Sequence, residues 1–396
     1  MRILMIGHGF PPTQGGVETH VADLTRILSE RGDRVTCLVG AADGEGDSNE
    51  THDGIPVHRR RALRPEILRR AQADDQRSGD DLVRRIATDI AEIGDDADLI
   101  HCHNLHHFGD HAARAVFKES GGRATINTVH DHAGNHVLRD VLDALPWTHL
   151  VYVSRFIRRR LPSPAPGSVL HLGVALDRFR PTGPRYEPFL GLERPVIFHP
   201  ARLLDWKGVE TGLAAFTRVR AALGGGTLVL TAGADIAEAA ASTRRLRDRL
   251  TSRAVRDGVA PYVRFEDVPY DRMPAALRTS DLIWYPTTGE EPYGLVPLEA
   301  MACAVPVITS DSGGMTETMR PGRTGLVVPR GDPPALAEAA LRVLTDNDLR
   351  ERLIAGAYDH VRDFSLGAYA TRLRALYARV LDPAIVPCGP SPWVAG

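Results

Sequence analysis

Short apolar runs alternate with amphipathic stretches from one end of the chain to the other. The apolar runs are rich in β-branched residues, and the stretches between them have helical periodicity, so the alternation predicts parallel sheets with helices on both faces. Candidate strands lie at residues 2–7, 34–39, 99–102, 125–129, 150–153 and 169–172 in the first half, and at 196–199, 227–232, 263–265, 282–285, 305–309 and 325–328 in the second. We therefore predict an α/β fold with two doubly wound parallel sheets.

A segment rich in Pro and Gly at residues 181–188 has no periodicity and is predicted to link two domains. We expect an N-terminal domain over residues 1–182 and a C-terminal domain over residues 189–363. A final amphipathic helix is predicted at residues 364–381, followed by a Pro-containing tail at residues 382–396. Because ligands bind at the carboxyl ends of the strands in doubly wound sheets, we expect a cleft between the domains at those ends.

Composition and charge narrow the class of protein. The chain has 396 residues, which is too long for one ordinary core and fits two domains. Hydrophobic residues make up 43% and charged residues 25%, so both domains can bury a core. The net charge of -2 provides no general attraction to nucleic acid or to an anionic membrane. Residues 59–79 are rich in arginine and poorly patterned, and we expect an exposed helix or loop there.

Neither the start of the chain nor its cysteines suggest export. The apolar run at residues 2–7 is too short for the core of a signal peptide, and no stretch approaches the roughly 20 apolar residues of a membrane helix. The four cysteines (Cys37, Cys102, Cys303 and Cys388) lie far apart and form no CxxC pair. This spacing favours reduced thiols, and we expect a cytoplasmic protein.

A glycine-rich turn follows the first strand, and a helical pattern that reaches Arg31 follows the turn. The backbone N–H groups at such a helix start can hold a phosphate or a reacting oxygen. Gly7 and Gly9 also begin the fingerprint of a dinucleotide-binding turn, but Pro12 stands where the third glycine belongs. A turn with a purely structural role is the third interpretation.

Half of the 16 histidines lie between positions 101 and 136: His101, His103, His106, His107, His111, His130, His132 and His136. Imidazole is a common metal ligand, but no HExxH or similar helical spacing occurs, so we assign no metal site. His130 directly follows the strand at residues 125–129, which directs it to the carboxyl edge of the sheet. There it can hydrogen-bond a hydroxyl group. The alternative is a structural histidine whose hydrogen bonds are satisfied within the protein.

Arg202 and Lys207 lie on one loop between a strand and a helix. Two cations at this spacing can converge on a diphosphate, with arginine as a bidentate donor and lysine as a compact charge. Negative charge grows on a departing diphosphate, so cations at this position stabilise the transition state more than the ground state. The alternative is a pair of solvated surface charges.

Glu291 and Glu299 flank the start of a predicted helix that begins at Gly294 and Leu295. The free N–H groups of that start can hold phosphate oxygens. Glu291 can accept hydrogen bonds from sugar hydroxyls, and Glu299 can accept from two ribose hydroxyls. As a surface pair the two glutamates would be ordinary, but the glycine and the apolar run at residues 300–307 argue against simple solvation.

Taken in order, these segments resemble the family 4 retaining glycosyltransferases, which have the GT-B architecture of two Rossmann-like domains facing a central cleft. The resemblance covers residues 1–381. Its motifs are Gly15-Gly16-Val17-Glu18, residues 128–131, Val153-Ser154, Arg202 with Lys207-Gly208, Glu291-Pro-Tyr-Gly-Leu with Glu299-Ala-Met, and Gly313-Gly314 with Glu317 and Gly325.

The resemblance implies roles for individual residues. Arg202 and Lys207 would hold the diphosphate, together with the backbone of Gly294 and Leu295. The remaining donor-side residues would be Glu291 at the sugar hydroxyls, Glu299 at the ribose, the Val268 backbone at the base, and Tyr293 beside them. Gly15, Gly16 and His130 would complete the site from the N-terminal domain. The final helix at residues 364–381 would brace that domain.

The resemblance also implies the chemistry. A hexose would pass from a nucleoside diphosphate sugar, for which we expect UDP, to a hydroxyl of a small-molecule, glycan or lipid acceptor. The anomeric configuration would be retained without a metal ion, a cofactor or a general base. Alternatives are a GT-B sugar-nucleotide epimerase or hydrolase, and a non-catalytic nucleotide-sugar-binding protein. The basic stretch at residues 155–160 suggests either weak peripheral membrane contact or a solvated amphipathic helix.

Overall fold

The computed structural model describes residues 1–13, 15–42, 44–73, 76–131, 136–231 and 240–382, and it leaves out the side chains of residues 136–138 and 240–241. The chain divides into two compact units. Unit 1 comprises Met1–Gly173 and the chain from Leu366 onward, and unit 2 comprises Val174–Ser365.

Unit 1 is built on an eight-stranded sheet in the order β3-β4-β2-β1-β5-β6-β7-β8. All neighbouring strands are parallel except β3 and β4. The strands are β1 (Arg2–Gly7), β2 (Arg34–Gly40), β3 (Ser48–His52), β4 (Ile55–Arg60), β5 (Leu99–His103), β6 (Ala124–Val129), β7 (His149–Tyr152) and β8 (Gly167–Val169). The helices are α1 (Gly16–Glu30), α2 (Pro65–Ala73), α3 (Gln76–Ile93), α4 (His111–Glu119), α5 (His136–Ala144), α6 (Arg155–Arg160) and, from the end of the chain, α14 (Leu366–Leu381).

Unit 2 contains a six-stranded parallel sheet in the order β11-β10-β9-β12-β13-β14. Its strands are β9 (Val196–His199), β10 (Thr227–Thr231), β11 (Val263–Glu266), β12 (Leu282–Tyr285), β13 (Val307–Ser310) and β14 (Leu326–Val328). Its helices are α7 (Glu187–Leu190), α8 (Val209–Leu223), α9 (Ala240–Arg256), α10 (Met273–Thr279), α11 (Leu295–Ala302), α12 (Pro333–Thr345) and α13 (Asn347–Val361).

Each sheet has a point where the strand order reverses direction. In unit 2 the strands run 3-2-1-4-5-6 when they are numbered within the sheet, so the reversal lies between β9 and β12. In unit 1 the corresponding reversal lies between β1 and β5. Chain segments leave neighbouring strands toward opposite sides at such a point and open a crevice at the carboxyl ends. The residues that follow β1, β5, β9 and β12 therefore border the two crevices where a ligand is expected.

The prediction of an exposed helix or loop at residues 59–79 is confirmed for most of the segment but is wrong at its start. Arg59 lies in β4, and its side chain is only 2% exposed. It is buried because it donates to the carbonyls of Phe10 and Pro11 and pairs with Glu50 at 2.7 Å. The rest of the segment forms a short turn, α2 and the start of α3. The β3–β4 hairpin was not predicted from the sequence. Its edge strand, Ser48–His52, is polar and largely exposed.

The division between the units lies before the predicted linker. The chain passes from unit 1 to unit 2 after Gly173, whereas residues 181–188 already pack on unit 2. The Tyr186 amide donates to Thr279 Oγ1 at 2.7 Å, and Arg185 donates to the Arg278 carbonyl at 2.6 Å.

The last helix, α14, packs in unit 1. Tyr377 on this helix lies 2.5 Å from His101 Nδ1, and Arg31 on the α1 side donates to Thr371 and to the Gly367 carbonyl. No helix in the described part of the chain is long and apolar enough to cross a membrane. Cys37, Cys102 and Cys303 are buried free thiols, and Cys388 lies outside the described residues.

Asp33 joins the two ends of unit 1. Its buried carboxylate pairs with the Met1 ammonium at 3.0 Å and with Arg374 Nε on α14 at 2.8 Å. Since the carboxylate itself has no solvent exposure, it depends on these two cations for compensation.

We expect Asp33→Ala to lower the free energy of unfolding by about 1–3 kcal/mol, because hydrogen bonds to charged groups contribute roughly this much. Urea denaturation of the two proteins measures the difference. Asp96→Ala is the matched control, since its ion pair with Arg34 is exposed and should contribute less than about 1 kcal/mol. Equal losses in the two variants would contradict the anchoring role of Asp33.

Candidate functional site

The loops that follow β9 and β12 come together at the reversal point of unit 2. The Trp206 carbonyl, in the loop after β9, accepts hydrogen bonds from the amides of Thr288 and Gly289 at 2.9 and 3.0 Å and from Thr287 Oγ1 at 2.7 Å. Gly208 makes this approach possible. Its φ is +75°, and a Cβ there would lie 1.8 Å from the Pro286 carbonyl oxygen.

A buried ion pair forms where these loops meet. Lys207 Nζ lies 2.7 Å from Glu291 Oε2, and each side chain is 9% exposed. Tyr285, the last residue of β12, brings its hydroxyl within 2.6 Å of Lys207 Nζ and 3.3 Å of Glu291 Oε2. The ammonium also lies 4.0 Å from the centre of the Trp206 ring, which adds a cation–π contact. The three polar groups thus satisfy one another inside the unit.

The pKa of the Tyr285 hydroxyl responds to several charged side chains of this cluster. Burial raises the pKa of its hydroxyl well above the usual value, and the carboxylates of Glu291 and Glu299 raise it further. Arg202 acts on the same pKa in the opposite direction. Tyr285 is therefore a neutral hydroxyl at physiological pH, and it can donate to Glu291 while it accepts from Lys207.

The backbone of Glu291 is held by the turn that follows β13. Its amide donates to Ser312 Oγ at 2.9 Å, and its carbonyl accepts from the Gly314 amide at 2.8 Å. Gly313 has φ +48°, and a Cβ at this position would lie 2.2 Å from the Glu291 carbonyl oxygen. Consequently the Gly313-Gly314 pair noted in the sequence has a structural task, which is to let this turn touch the Glu291 backbone.

Helix α11 begins at Leu295 directly after this cluster, with Gly294 as its N-cap residue. Leu295 is half-buried, whereas Tyr293 is buried and 3% exposed. Glu299, within α11, is 8% exposed. The Glu299 carboxylate lies near enough to Tyr285 to raise the pKa of its hydroxyl.

Two predicted residues lie at the margins of this cluster. The Arg202 side chain is exposed, and no side chain among the described residues pairs with its guanidinium. Val268 is buried and follows β11, two strands away from β9 in the sheet. Both stand at the carboxyl edge, but the hydrogen bonds that join Lys207 and Glu291 do not include them.

In unit 1, Gly15 ends the loop after β1, and Gly16 is the first residue of α1. Gly15 is the N-cap residue of α1 in an extended conformation, and a Cβ there would lie 2.1 Å from Glu18 Oε2. Gly16 is exposed, and a Cβ there would meet no atom within 4 Å. The atoms nearest to a Cβ at Gly15 belong to the flexible end of the Glu18 side chain, which can move, so the packing of the described residues requires glycine at neither position.

His130 directly follows β6 and is 5% exposed. Its amide donates to Asn104 Oδ1 at 2.8 Å, and its Nε2 lies 2.9 Å from Nδ1 of His103. His20 on α1 packs its ring 5.6 Å from the His130 ring. Burial, followed by neighbouring histidines, lowers the pKa of His130 well below its usual value, so the imidazole is neutral.

The histidines do not assemble a metal site in the part of the chain that the structure describes. No three His, Cys, Asp or Glu side chains there come together in a way that could hold a metal ion. His101 instead contacts Tyr377 and Thr128 Oγ1, and His106 contacts the Asp131 carbonyl. His132 lies outside the described residues.

Comparison with known proteins agrees with this geometry. Residues 14–178 match the family described as Glycosyltransferase Family 4, and residues 186–360 match the family described as Glycosyl transferases group 1. A GDP-mannose-dependent alpha-(1-6)-phosphatidylinositol monomannoside mannosyltransferase of Mycobacterium tuberculosis is 29% identical over 88% of this chain and 90% of its own. A D-inositol 3-phosphate glycosyltransferase of Jonesia denitrificans is 39% identical, but over 35% of this chain and only 33% of that protein's length.

Two solved structures share the fold. Sucrose-phosphate synthase from Thermosynechococcus elongatus has a TM-score of 0.80 at 22% identity, with 96% of this chain and 99% of that one covered. The Anabaena HepE structure in complex with UDP and glucose has a TM-score of 0.76 at 20% identity, with the same coverage. At these identities the likeness establishes the architecture alone.

Two doubly wound sheets of this strand order define the GT-B architecture. More specifically, the chain belongs to glycosyltransferase family 4. The predicted fold class, the predicted family and the general reaction, glycosyl transfer from a sugar nucleotide, are thereby confirmed.

Sequence reasoning missed three residues that organise these sites. Tyr285 and Ser312 hold Lys207 and Glu291 in unit 2, and His103 contacts His130 in unit 1. A tyrosine that ends a buried strand and a serine in a turn are common in any fold, so neither carries a signal. His103 was noted within the histidine cluster, but its position alternating along a strand did not indicate its partner.

The buried ion pair predicts a characteristic set of stabilities. Lys207→Met or Glu291→Gln should each lower the free energy of unfolding by about 3–5 kcal/mol, because the remaining partner is buried without compensation. The double variant should lose less than the sum of the two, as urea denaturation in a double-mutant cycle will show. Asp205→Ala is the control, since its pair with Arg249 is exposed and should change stability by less than about 1 kcal/mol. Additive losses would contradict the pairing.

The buried histidines predict a loss of stability in mild acid. Burial lowers the pKa of His20 and of His101 to about 3, below the value of about 6.5 for an unfolded histidine. As pH falls below about 6.5, the unfolded chain binds protons that the folded chain does not. The free energy of unfolding therefore falls as the pH falls, until the pH reaches the pKa values of the folded histidines. Two such groups remove about 4 kcal/mol by pH 5.

His20→Phe should reduce this pH dependence by one proton, because neither ring nitrogen of His20 has a hydrogen-bond partner among the described residues. Urea denaturation between pH 7.5 and 5 measures the slope. An unchanged slope in the variant would mean that His20 is protonated as readily in the folded chain as in the unfolded one.

Proposed function

We propose that this protein is a retaining, metal-independent hexosyltransferase that moves a hexose from a nucleoside diphosphate sugar to a hydroxyl group of its acceptor. The observation that carries the proposal is the cluster at the reversal point of unit 2. There, a buried lysine, a second cation, two carboxylates and the start of a helix lie at one sheet edge.

The cations suit a diphosphate. Arg202 is exposed and pairs with no described side chain, so it can meet an arriving phosphate without breaking an ion pair. Lys207 is held in place by Glu291 and Tyr285, which orients its positive charge before the substrate binds. Negative charge develops on the leaving diphosphate, and such preoriented cations stabilise that charge most strongly in the transition state. The Leu295 amide at the start of α11 adds a backbone donor.

The carboxylates suit hydroxyl groups. Glu291 contacts Lys207 and Tyr285 through Oε2, and a carboxylate can accept further hydrogen bonds through its other lone pairs. We assign these to hydroxyls of the transferred sugar and assign the ribose hydroxyls to Glu299. Tyr293 and the Val268 backbone are assigned to the walls of the nucleotide site.

Unit 1 contributes substrate contacts in this proposal. The neutral His130 imidazole is suited to a hydroxyl, since it carries no charge that would attract phosphate. Gly16 leaves its surroundings open, so a ligand can approach the backbone at the start of α1. Gly15 is the N-cap residue of the same helix, and we assign its backbone to the same substrate contact.

In the proposed reaction the acceptor oxygen attacks the anomeric carbon from the face that the diphosphate leaves. The bond from the anomeric carbon to the diphosphate oxygen breaks as the new glycosidic bond forms, and that diphosphate oxygen takes the acceptor's proton. The configuration is therefore retained. No cofactor and no general base from the protein take part, and Arg202 and Lys207 supply the positive charge.

We propose UDP as the nucleotide of the donor. The HepE structure contains UDP and glucose, whereas the Mycobacterium tuberculosis relative is described as GDP-mannose-dependent, so both nucleotides belong in the test. For the acceptor we propose a polyol hydroxyl, because the relatives act on D-inositol 3-phosphate or on a phosphatidylinositol mannoside according to their names.

Helix α6 favours the solvated alternative over membrane contact. Arg155, Arg158, Arg159 and Arg160 are exposed, but Ile157 is fully buried in unit 1. The Arg160 guanidinium lies 5.5 Å from the centre of the Phe156 ring. The helix therefore keeps its apolar side chains within the protein and presents mainly charge to its surroundings.

A nucleotide-binding experiment tests the donor site. Calorimetry with UDP, GDP, ADP and TDP, with magnesium or with EDTA, should show one nucleoside diphosphate that binds equally well in both conditions. Arg202→Ala should weaken that binding by about 10-fold to 100-fold, because it removes charge-assisted hydrogen bonds. We choose Arg202 because Lys207→Ala would also leave Glu291 unpaired. Arg218→Ala, an exposed arginine on α8, is the control.

Turnover of the matching sugar nucleotide with inositol acceptors completes this test. The product should have the anomeric configuration of the donor, and Arg202→Ala should lower kcat by about two orders of magnitude. Consumption of the donor without any acceptor would instead support a hydrolase. Binding that requires magnesium, or equal binding by the Arg202 and Arg218 variants, would overturn the proposal.

A further inference from the structure

A line of three buried side chains crosses the sheet of unit 1 from β1 to the end of β6. Met5 lies on β1, His103 ends β5, and His130 follows β6, so the three belong to adjacent strands. His103 Nε2 lies 3.0 Å from Met5 Sδ, and His103 Nδ1 lies 2.9 Å from His130 Nε2. Their exposed fractions are 0%, 1% and 5%.

The sulfur of Met5 determines where the proton of His103 lies. A thioether has lone pairs and no hydrogen to donate, so it can only accept. If His103 Nε2 carried a lone pair, that lone pair would face the lone pairs of sulfur at 3.0 Å and repel them. The N–H of His103 therefore lies on Nε2, and its lone pair lies on Nδ1.

The same reasoning passes to His130. Burial and neighbouring histidines lower the pKa values of His103 and His130 well below the usual range, so each ring carries a single N–H at neutral pH. Because His103 Nδ1 holds a lone pair, the contact at 2.9 Å requires the N–H of His130 on Nε2. The lone pair of His130 is then on Nδ1.

We propose that Met5 and His103 are positioning residues that hold His130 in its Nε2–H form, so that Nδ1 accepts a hydrogen bond from a substrate hydroxyl. The proposal rests on the proposed function, in which His130 meets the substrate. It also adds a rule of specificity. A hydroxyl can donate to Nδ1, whereas a carbonyl oxygen or a phosphate oxygen without a proton cannot.

Other contacts restrict rearrangement of the line. Asn104 Oδ1 accepts from the His130 amide at 2.8 Å, and the Asn104 amide donates to the Thr128 carbonyl at 2.9 Å. The backbone of His130 is thus tied to the end of β5, the strand that carries His103. A ring held at its backbone and at Nε2 has a defined orientation, which is what a hydrogen-bond acceptor for one hydroxyl needs.

Nitrogen NMR of the full-length protein labelled with ¹⁵N-histidine tests the proposal at pH 7.5. Long-range proton–nitrogen correlations distinguish an N–H nitrogen from a nitrogen with a lone pair, and His130→Gln and His103→Gln identify the signals. We expect Nε2 of both rings to carry the proton. A His130 ring with its proton on Nδ1 would overturn the proposal.

Met5→Leu conserves volume and removes the only acceptor property of the side chain. We expect His103 and His130 to shift toward their Nδ1–H forms in this variant, and kcat/KM to fall about threefold to tenfold through the lost hydrogen bond. Met319→Leu, a buried methionine of unit 2, is the control. Unchanged protonation in Met5→Leu would remove Met5 from the proposal.

His103→Gln and His103→Leu separate positioning from packing. The amide oxygen of glutamine can accept from His130 Nε2–H, so this variant should retain the Nε2–H form and more activity than His103→Leu. Equal behaviour of the two would contradict a positioning role. The NMR result does not depend on activity, so the two proposals fail separately. Normal kcat/KM in His130→Gln would contradict the proposed contact between His130 and the substrate. It would not affect the assignment of the protonated nitrogens by NMR.

Discussion

A lysine ammonium buried at the carboxyl edge of a parallel sheet places strict demands on its surroundings, and Lys207 shows how unit 2 meets them. A buried cation is tolerated only where opposite charge and hydrogen-bond acceptors replace water. Glu291 supplies the charge, Tyr285 supplies a hydroxyl, and the Trp206 ring covers the ammonium at 4.0 Å. Each partner comes from a different loop or strand, so the loops must be built to reach one another.

Those demands explain the local backbone. The loop after β9 can touch the loop after β12 only because residue 208 is glycine, and the Glu291 backbone can rest on the turn after β13 only because residue 313 is glycine. Ser312 then ties this turn to two points of the loop after β12, since its hydroxyl accepts from the Glu291 amide and donates to the Gly289 carbonyl at 2.5 Å. The position of one charge thus accounts for glycines that lie far apart in sequence.

Unit 1 buries titratable groups by a different route. The buried His20, His101, His103 and His130 stay neutral because burial lowers their pKa values. Three of them hydrogen-bond one another or a neighbouring hydroxyl: His103 contacts His130, and His101 contacts Thr128 at 2.7 Å. A neutral imidazole costs far less to bury than an ion, but it has one donor and one acceptor that must both be placed. For this reason, the hydrogen-bond partners of a buried neutral histidine determine which of its two ring nitrogens carries the proton. Pairing with an opposite charge is not involved.

The sequence was sufficient for buried parallel strands such as β1, β9 and β12, because residues buried on both faces form continuous apolar runs. It was insufficient for the β3–β4 hairpin, since Ser48–His52 is polar and lies at the sheet edge. Arg202, Lys207, Glu291 and Glu299 were recognisable as charged residues in loops after strands. Their pairing was not, because Lys207 and Glu291 are 84 residues apart and no local pattern links them.

The ion pair also bears on how the proposed donor would bind. In the proposed site, a diphosphate would bring negative charge toward Lys207, whose ammonium already has Glu291 at 2.7 Å, so the two anions would share one cation. Repulsion between them is relieved if Glu291 turns its hydrogen-bonding capacity toward hydroxyl donors, which sugars provide and a bare nucleotide lacks at that position. In the proposed site, Arg202 would supply the second charge from outside the cluster. Binding of this kind would favour a diphosphate that carries a sugar over a free diphosphate, because only the former gives Glu291 new donors.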